Sequence, residues 1–190
     1  HSSGLLDTGR PTGWIKFDAG SARQVQMRIA TSLMSGDQAK HNAELEIAAD
    51  ASFEQVAARA QEAWDALLGR FEVPDATADQ ATTLYSNLYR LYLYPNSAHE
   101  NVGTATAPDW RYASQNSWSD DTIDGSAVRS FAPIRDGRVY VNNGLWDTFR
   151  TAWPAYALFA PDDAGALVQG FVEQSRAGGW IARWSSPGYA

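Results

Sequence analysis

The sequence has no cysteine and little basic charge. Without cysteine, disulfide frameworks, thiolate zinc sites and cysteine nucleophiles are excluded. The 15 lysine and arginine residues are outnumbered by 22 aspartate and glutamate residues, which gives a net charge of −7. Nucleic acid is therefore not an expected partner, because proteins that bind it carry a basic patch. No apolar run approaches the roughly 18 residues of a membrane span, so no span is expected.

The common catalytic motifs are missing as well. The sequence has no glycine-rich phosphate loop, no paired-histidine zinc motif and no nucleophile elbow. The three histidines, His1, His41 and His99, lie far apart along the chain. A metal site or a catalytic triad built on histidine is therefore not expected.

Two loop clusters remain as candidates for chemistry. His99 and Glu100 are adjacent and could act as acid and base, or could be an ordinary solvated pair. Three acidic residues offer the hard oxygen ligands that calcium prefers, although their spacing does not match an EF-hand. They are Asp120, Asp121 and Asp124. An ordinary acidic loop is the alternative for these three.

What the chain does have is aromatic residues. It is 44% hydrophobic and 12% aromatic, enough to build a packed core. Six of its eight tryptophans follow residue 100: Trp110, Trp118, Trp146, Trp153, Trp180 and Trp184. Flat indole rings can stack on the C–H faces of sugars, so the cluster is compatible with carbohydrate binding. Packing in the core is the alternative for each of them.

The start of the chain has the alternation of β-strands. Apolar and polar residues alternate over residues 14–17 and 25–29, and turn-forming residues occupy 18–21. Two strands do not make a stable sheet alone. We therefore expect them to be the last strands of a larger β-domain.

Helical spacing follows. Three helices are predicted, over residues 35–49, 52–69 and 79–95. The second begins with a capping-box pattern, in which Ser52 is followed three positions later by Gln55.

The second half of the chain is less regular. Residues 95–140 show no sustained period, and so long a loop is usually functional or forms a partial β excursion. A helical run over 145–158 is predicted to be kinked or split by Pro154, and a last helix is predicted over 162–178.

The strongest candidate site lies at the start of the 145–158 run. On a helix, Trp146, Asp147 and Arg150 would share a face. The carboxylate would accept hydrogen bonds from vicinal hydroxyls, the guanidinium would donate them, and the indole would pack on the sugar ring. An intrahelical ion pair beside a core tryptophan is the alternative.

Short motifs occur in a fixed order along nearly the whole chain. They are residues 25–32 (VQMRIATS), 35–39 (SGDQA), 42–46 (NAELE), 63–68 (AWDALL), 84–89 (LYSNLY), 146–150 (WDTFR), 160–161 (AP) and 178–184 (GGWIARW). Each is weak alone, but the ordered set resembles glycoside hydrolase family 92, the calcium-dependent exo-acting α-mannosidases of bacteria.

The resemblance implies an α+β multidomain fragment. Residues 1–35 would be the C-terminal strands of an N-terminal β-sandwich, residues 36–70 a helical linker, and residues 71–190 the first part of an (α/α)6-barrel catalytic domain. The remainder of the same polypeptide would then be a structural partner.

The resemblance also implies an activity, namely hydrolysis of terminal α-linked mannose from glycans with inversion and with calcium as cofactor. The catalytic acid, the base and the calcium ligands are expected C-terminal to residue 190, so no metal ligand is assigned. The residues that match a family motif near the sugar pocket are Trp146, Asp147, Arg150 and Trp184. A secreted, extracellular or cell-surface bacterial protein is implied.

The chain departs from the family pattern near this pocket. Residues 140–145 (YVNNGL) replace a Tyr-Thr-x-Phe-Ser-like run, Ala182 replaces a proline, and Ser185 replaces a glutamate. With these changes, the chain could belong to a branch of the family that acts on mannose-1-phosphodiester caps. Two other readings also stay open: a non-catalytic carbohydrate-binding or scaffold relative, and another (α/α)6-barrel enzyme such as a glycoside phosphorylase.

Overall fold

The structure is a computed structural model that describes residues 2–7, 11–18, 20, 25–114 and 132–186. The chain begins with strands β1 (Ser2–Asp7) and β2 (Pro11–Lys16), followed by helices α1 (Gly36–Glu46), α2 (Phe53–Leu68) and α3 (Ala78–Leu91). Six short strands come next: β3 (Asn96–Ser97), β4 (Glu100–Asn101), β5 (Trp110–Ala113), β6 (Ile134–Asp136), β7 (Tyr140–Val141) and β8 (Asn143–Gly144). The described part ends with helices α4 (Leu145–Thr148), α5 (Ala152–Phe159) and α6 (Pro161–Gly178) and with strand β9 (Trp184–Ser185). The α+β class predicted from the sequence is confirmed for this part of the chain.

The two predicted N-terminal strands have different outcomes. The strand predicted over residues 14–17 is confirmed for residues 14–16, which end β2, and β2 pairs antiparallel with β1. The prediction of a strand over residues 25–29 is wrong, because the segment has no regular secondary structure. Its alternating apolar side chains are exposed, and none of the described residues forms a ladder with it. A strand needs a neighbour to take up its backbone groups, so alternation alone does not produce one.

The predicted turn over residues 18–21 is only partly within the described ranges. The backbone N–H of Gly20, which has φ 48°, donates to Asp18 Oδ1 at 3.2 Å. Residues 19 and 21 lie outside the described residues.

The helix starts follow their capping signals. Ser35 caps α1 by accepting from the N–H of Gln38 at 3.0 Å. Ser52 and Gln55 form the predicted capping box at the start of α2. The third helix was predicted to open at residue 79, but it opens at Ala78, because Thr77 and Gln80 form a second capping box. The same Ser/Thr-x-x-Gln signal therefore marks both starts.

A hydrogen-bonded cluster ties α1 to the short strands that follow the helices. Glu100 accepts from the backbone N–H of Leu33 and from Asn42 Nδ2, each at 2.7 Å. Gln38 Nε2 donates to the carbonyl of Asn101 at 2.9 Å. These contacts fix the segment before α1 and one face of α1 against β4.

The aperiodic stretch over 95–140 is the partial β excursion that was one of its two predicted readings. In its described residues, β4, β5 and β6 form a three-stranded antiparallel sheet, and β3 pairs with β7. The buried core of the described structure is centred here, on Ala98, Tyr112, Val139 and Val141. The core therefore lies in the part of the chain whose sequence shows no period.

The predicted 145–158 run is split, as expected from Pro154. Helix α4 ends at Thr148 and α5 begins at Ala152, so Pro154 occupies the first turn of α5. A proline is tolerated there because the first backbone N–H groups of a helix have no partner within it. Helix α6 ends at Gly178, and the next residue, Gly179, caps it in the left-handed conformation with φ 82°. Within the described ranges, no helix is long and apolar enough to cross a membrane.

His99 packs at the edge of this core. Its Nδ1 lies 2.9 Å from the carbonyl oxygen of Val139, so Nδ1 carries the proton and donates it. The rings of Trp110 and Tyr140 each meet the imidazole edge to face at 5.1 Å. Burial, partly offset by the Val139 hydrogen bond and reinforced by the nearby charge of Arg138, lowers the pKa of His99 below its ordinary value.

The lowered pKa of His99 predicts an acid-sensitive fold. In the unfolded chain this histidine takes up a proton below about pH 6.5, whereas the folded protein resists it. The free energy of unfolding should therefore be flat for this group above that pH and should fall as the pH drops below it. The variant His99→Asn keeps a donor for Val139 but does not titrate. Urea unfolding of both proteins across this range should show a shallower acid loss in the variant, and equal slopes would contradict the assignment.

Two glycines of α6 predict opposite responses to the same substitution. A Cβ on Gly170 would overlap the ring of Tyr140 and approach the carbonyl of Arg138 to 3.2 Å, whereas a Cβ on Gly165 would meet nothing within 4 Å. Gly170→Ala should lower the free energy of unfolding by about 1–3 kcal/mol through overpacking. Gly165→Ala should raise it by about 0.5–1 kcal/mol, because alanine favours the helix. Chemical denaturation measures both, and a shift in the same direction would contradict the packing of α6 on β7.

Candidate functional site

Strands β8 and β9 bring together two segments that are distant in sequence. Gly144 pairs with Trp184 and Asn143 pairs with Ser185 in an antiparallel ladder. The backbone N–H of Leu145, the first residue of α4, donates to the carbonyl of Arg183 at 3.1 Å. The start of α4 therefore lies beside the segment that carries Trp184.

Two of the predicted sugar-binding residues meet over Gly144. A Cβ on this glycine would overlap the ring edge of Trp184 and would lie 2.6 Å from Asp147 Oδ2. The indole and the carboxylate thus lie side by side over one backbone position. Trp184 is 56% exposed and Asp147 is exposed, so both groups are open to a ligand.

The other two predicted residues, Trp146 and Arg150, lie close to each other. The guanidinium carbon of Arg150 lies 5.9 Å from the ring centre of Trp146 and 4.6 Å from that of Phe149. Trp146 is 71% exposed, so the alternative of a core tryptophan is wrong. The structure thus forms two pairs, Asp147 with Trp184 and Trp146 with Arg150.

Asp147 and Arg150 do not form the intrahelical ion pair that was the alternative to a binding role. Within the described part of the chain, neither side chain takes part in a salt bridge. The reason is local: α4 ends at Thr148, so Arg150 lies beyond the regular turn that would place it beside Asp147. The negative charge of Asp147 and the positive charge of Arg150 both remain available.

Thr148 supports this geometry, although its role is not visible in the sequence. Its hydroxyl lies 2.9 Å from the carbonyl of Gly144 and 3.2 Å from Asn143 Oδ1. A hydroxyl has a single proton and can donate to one of these oxygens at a time. It also accepts from Trp153 Nε1 at 3.1 Å, which joins α5 to the start of α4. The tryptophan at 153 thus has a structural role.

The remaining tryptophans divide between surface and interior. Trp180 is 77% exposed, and with Trp184 it lines a cavity of about 210 Å³ whose other walls include Gln174 and Ser185. Trp110 is half-buried under the guanidinium of Arg138 at 4.7 Å. Trp118 lies outside the described residues. Exposed indoles beside polar groups characterise the surface around β9, as is usual for binding sites.

The two loop clusters do not extend this site. His99 and Glu100 are half-buried rather than solvated, and both are held by structural hydrogen bonds. The three acidic residues considered for calcium, Asp120, Asp121 and Asp124, lie outside the described residues. In the ranges that the structure describes, no three His, Asp or Glu side chains come together in a group that could hold a metal ion.

Comparison with known proteins identifies the family. A family model described as the glycosyl hydrolase family 92 catalytic domain matches residues 38–190. No curated protein matches the sequence at a significant level. The family match covers most of the chain and includes all four predicted sugar-binding residues, and it confirms the resemblance seen in the ordered motifs. The chain therefore belongs to glycosyl hydrolase family 92 and, with it, to the glycoside hydrolases.

Proposed function

We propose that the chain is part of an exo-acting α-mannosidase and that Trp146, Asp147, Arg150 and Trp184 bind the terminal sugar. The observation that carries this proposal is the position of the Asp147 carboxylate, free of any salt bridge in the described structure and beside the exposed indole of Trp184. A carboxylate of this kind accepts hydrogen bonds from sugar hydroxyls, and the indole offers a flat apolar face to the ring. Family membership supplies the glycosidase reaction.

Asp147 binds the sugar in this proposal and does not catalyse. Inverting hydrolysis needs an acid that protonates the leaving oxygen and a base that activates water on the opposite face. We expect both carboxylates C-terminal to residue 190, as the family resemblance implies. We infer that this chain supplies one wall of the pocket. Residues 1–35 would end a β-sandwich, residues 36–70 would form a helical linker, and residues 71–190 would begin an (α/α)6-barrel.

We also propose that the intact protein depends on calcium and is secreted. The family resemblance supports both. The described residues do not supply a calcium site, so the ligands are expected elsewhere in the polypeptide. In the intact protein, removal of calcium by a chelator and its restoration would test the dependence directly.

Arg150 favours the branch of the proposal that acts on mannose-1-phosphodiester caps. Its guanidinium is exposed, lies over aromatic rings and is not neutralised by any described carboxylate. Arginine binds phosphate oxygens through a planar fork of donors. A negatively charged substrate would therefore find a partner at this edge of the site.

The role of Asp147 predicts a kinetic defect without a loss of stability. Asp147→Asn keeps the shape of the side chain but removes a charged acceptor, and such a hydrogen bond contributes about 1.5–3 kcal/mol. In the intact protein, kcat/KM on an α-mannoside should fall about ten- to a hundred-fold. The melting temperature should hardly change, because the side chain is exposed.

The matched control is Asp75→Asn, an exposed aspartate in the loop between α2 and α3. It should leave both kcat/KM and the melting temperature unchanged. If Asp147→Asn were as harmless as Asp75→Asn, the proposed binding role would be wrong.

The role of Arg150 predicts a difference between substrates. Arg150→Gln should lower kcat/KM more on a mannose-1-phosphodiester than on a neutral α-mannobioside, because only the first carries a charge for the guanidinium to bind. Equal losses on both substrates would argue against the phosphodiester branch.

The products of the same assays separate the rival functions. First-formed β-mannose, seen by proton NMR, would support inversion. Release of mannose-1-phosphate that depends on added phosphate would indicate a phosphorylase. Binding of mannosides with no turnover would indicate a non-catalytic relative.

A further inference from the structure

We propose that Gly144 is a positioning residue of the sugar site. Because it has no side chain, Trp184 and Asp147 can both pack over it, at the spacing that the sugar requires. This inference rests on the proposed function, because it gives a role to a residue behind the two groups that bind the substrate. Gly144 itself is buried beneath them.

The backbone does not require a glycine at this position. Gly144 has φ −97° and ψ 105°, in the extended region that any residue adopts. An alanine there would carry no conformational strain. The reason for glycine must therefore lie in its contacts.

Those contacts are unusually close on the side where a Cβ would point. A Cβ would overlap two ring atoms of Trp184 and would lie 2.6 Å from Asp147 Oδ2. No real Cβ atom sits this close to a non-bonded neighbour, so either the neighbours or the backbone would have to move.

The backbone is the less free of the two to move. Gly144 is held in the β8–β9 ladder opposite Trp184, and the next N–H, that of Leu145, is bonded to Arg183. By contrast, the side chains of Trp184 and Asp147 are largely in solvent and can rotate outward. A methyl group at residue 144 would therefore displace the indole and the carboxylate and would leave the fold in place.

The experiment is Gly144→Ala in the intact protein, with Gly165→Ala as the matched control. Gly165 is an exposed helical glycine, and a Cβ added there would meet nothing within 4 Å. Gly144→Ala should lower kcat/KM on an α-mannoside by about tenfold or more, as expected when a charged hydrogen bond to the sugar is lost. Its melting temperature should stay close to that of the parent. Gly165→Ala should keep full activity.

A comparison of combined variants gives a result that a purely structural role would not. If Gly144 acts by positioning the indole and the carboxylate, Gly144→Ala should cost much less activity in a background that carries both Trp184→Ala and Asp147→Asn, because the ring and the charged acceptor that it would displace are already gone. The same fold loss in both backgrounds would overturn the inference. A Gly144→Ala protein that fails to fold would also overturn it, because the glycine would then serve the fold and not the site.

The Asp147→Asn variant separates failure of this inference from failure of the proposed function. If Asp147→Asn is impaired and Gly144→Ala is fully active, the sugar site stands and the positioning role of Gly144 is wrong. If Asp147→Asn is fully active, the sugar site itself is wrong, and the positioning role falls with it.

Discussion

The pairing of Gly144 with Trp184 is the contact on which the candidate site depends. It joins the start of α4 to the segment after α6, and only this join places the Asp147 carboxylate beside the Trp184 ring. A ladder of two residues is weak alone. Two hydrogen bonds to the carbonyl oxygen of Tyr140 stabilise the ladder. Ser185 Oγ donates one at 3.1 Å, and Gln174 Nε2 donates the other.

The short length of α4 is a second constraint, and it sets the electrostatics of the site. A longer helix would place Arg150 one turn from Asp147 and would favour an ion pair. Instead the helix stops at Thr148, whose hydroxyl is engaged with the carbonyl of Gly144 and with Trp153 Nε1. The guanidinium then rests on aromatic rings, and the carboxylate keeps its hydrogen-bonding capacity for a ligand.

What the sequence predicts well is local. The capping box of Ser52 and Gln55 was readable because both partners lie within one turn, and the missed box at Thr77 carries the same signal. The failures involve distant partners. Residues 25–29 alternate like a strand but find no neighbouring strand among the described residues. Helical spacing pointed to Trp146, Asp147 and Arg150, and the family resemblance added Trp184. The importance of Gly144 depends on Trp184, which no spacing rule connects to it.

One departure from the family pattern, the serine at position 185, has a physical explanation. This residue is 7% exposed, lines the cavity beside Trp184, and donates its hydroxyl proton to the carbonyl of Tyr140. An ionised glutamate at this position could not donate to that carbonyl and would need other partners for a buried charge. Compared with such a glutamate, serine removes one negative charge from the wall of the pocket. With Arg150 also outside any salt bridge in the described structure, the surroundings of Asp147 become less repulsive to an anion, as the proposed phosphodiester branch requires.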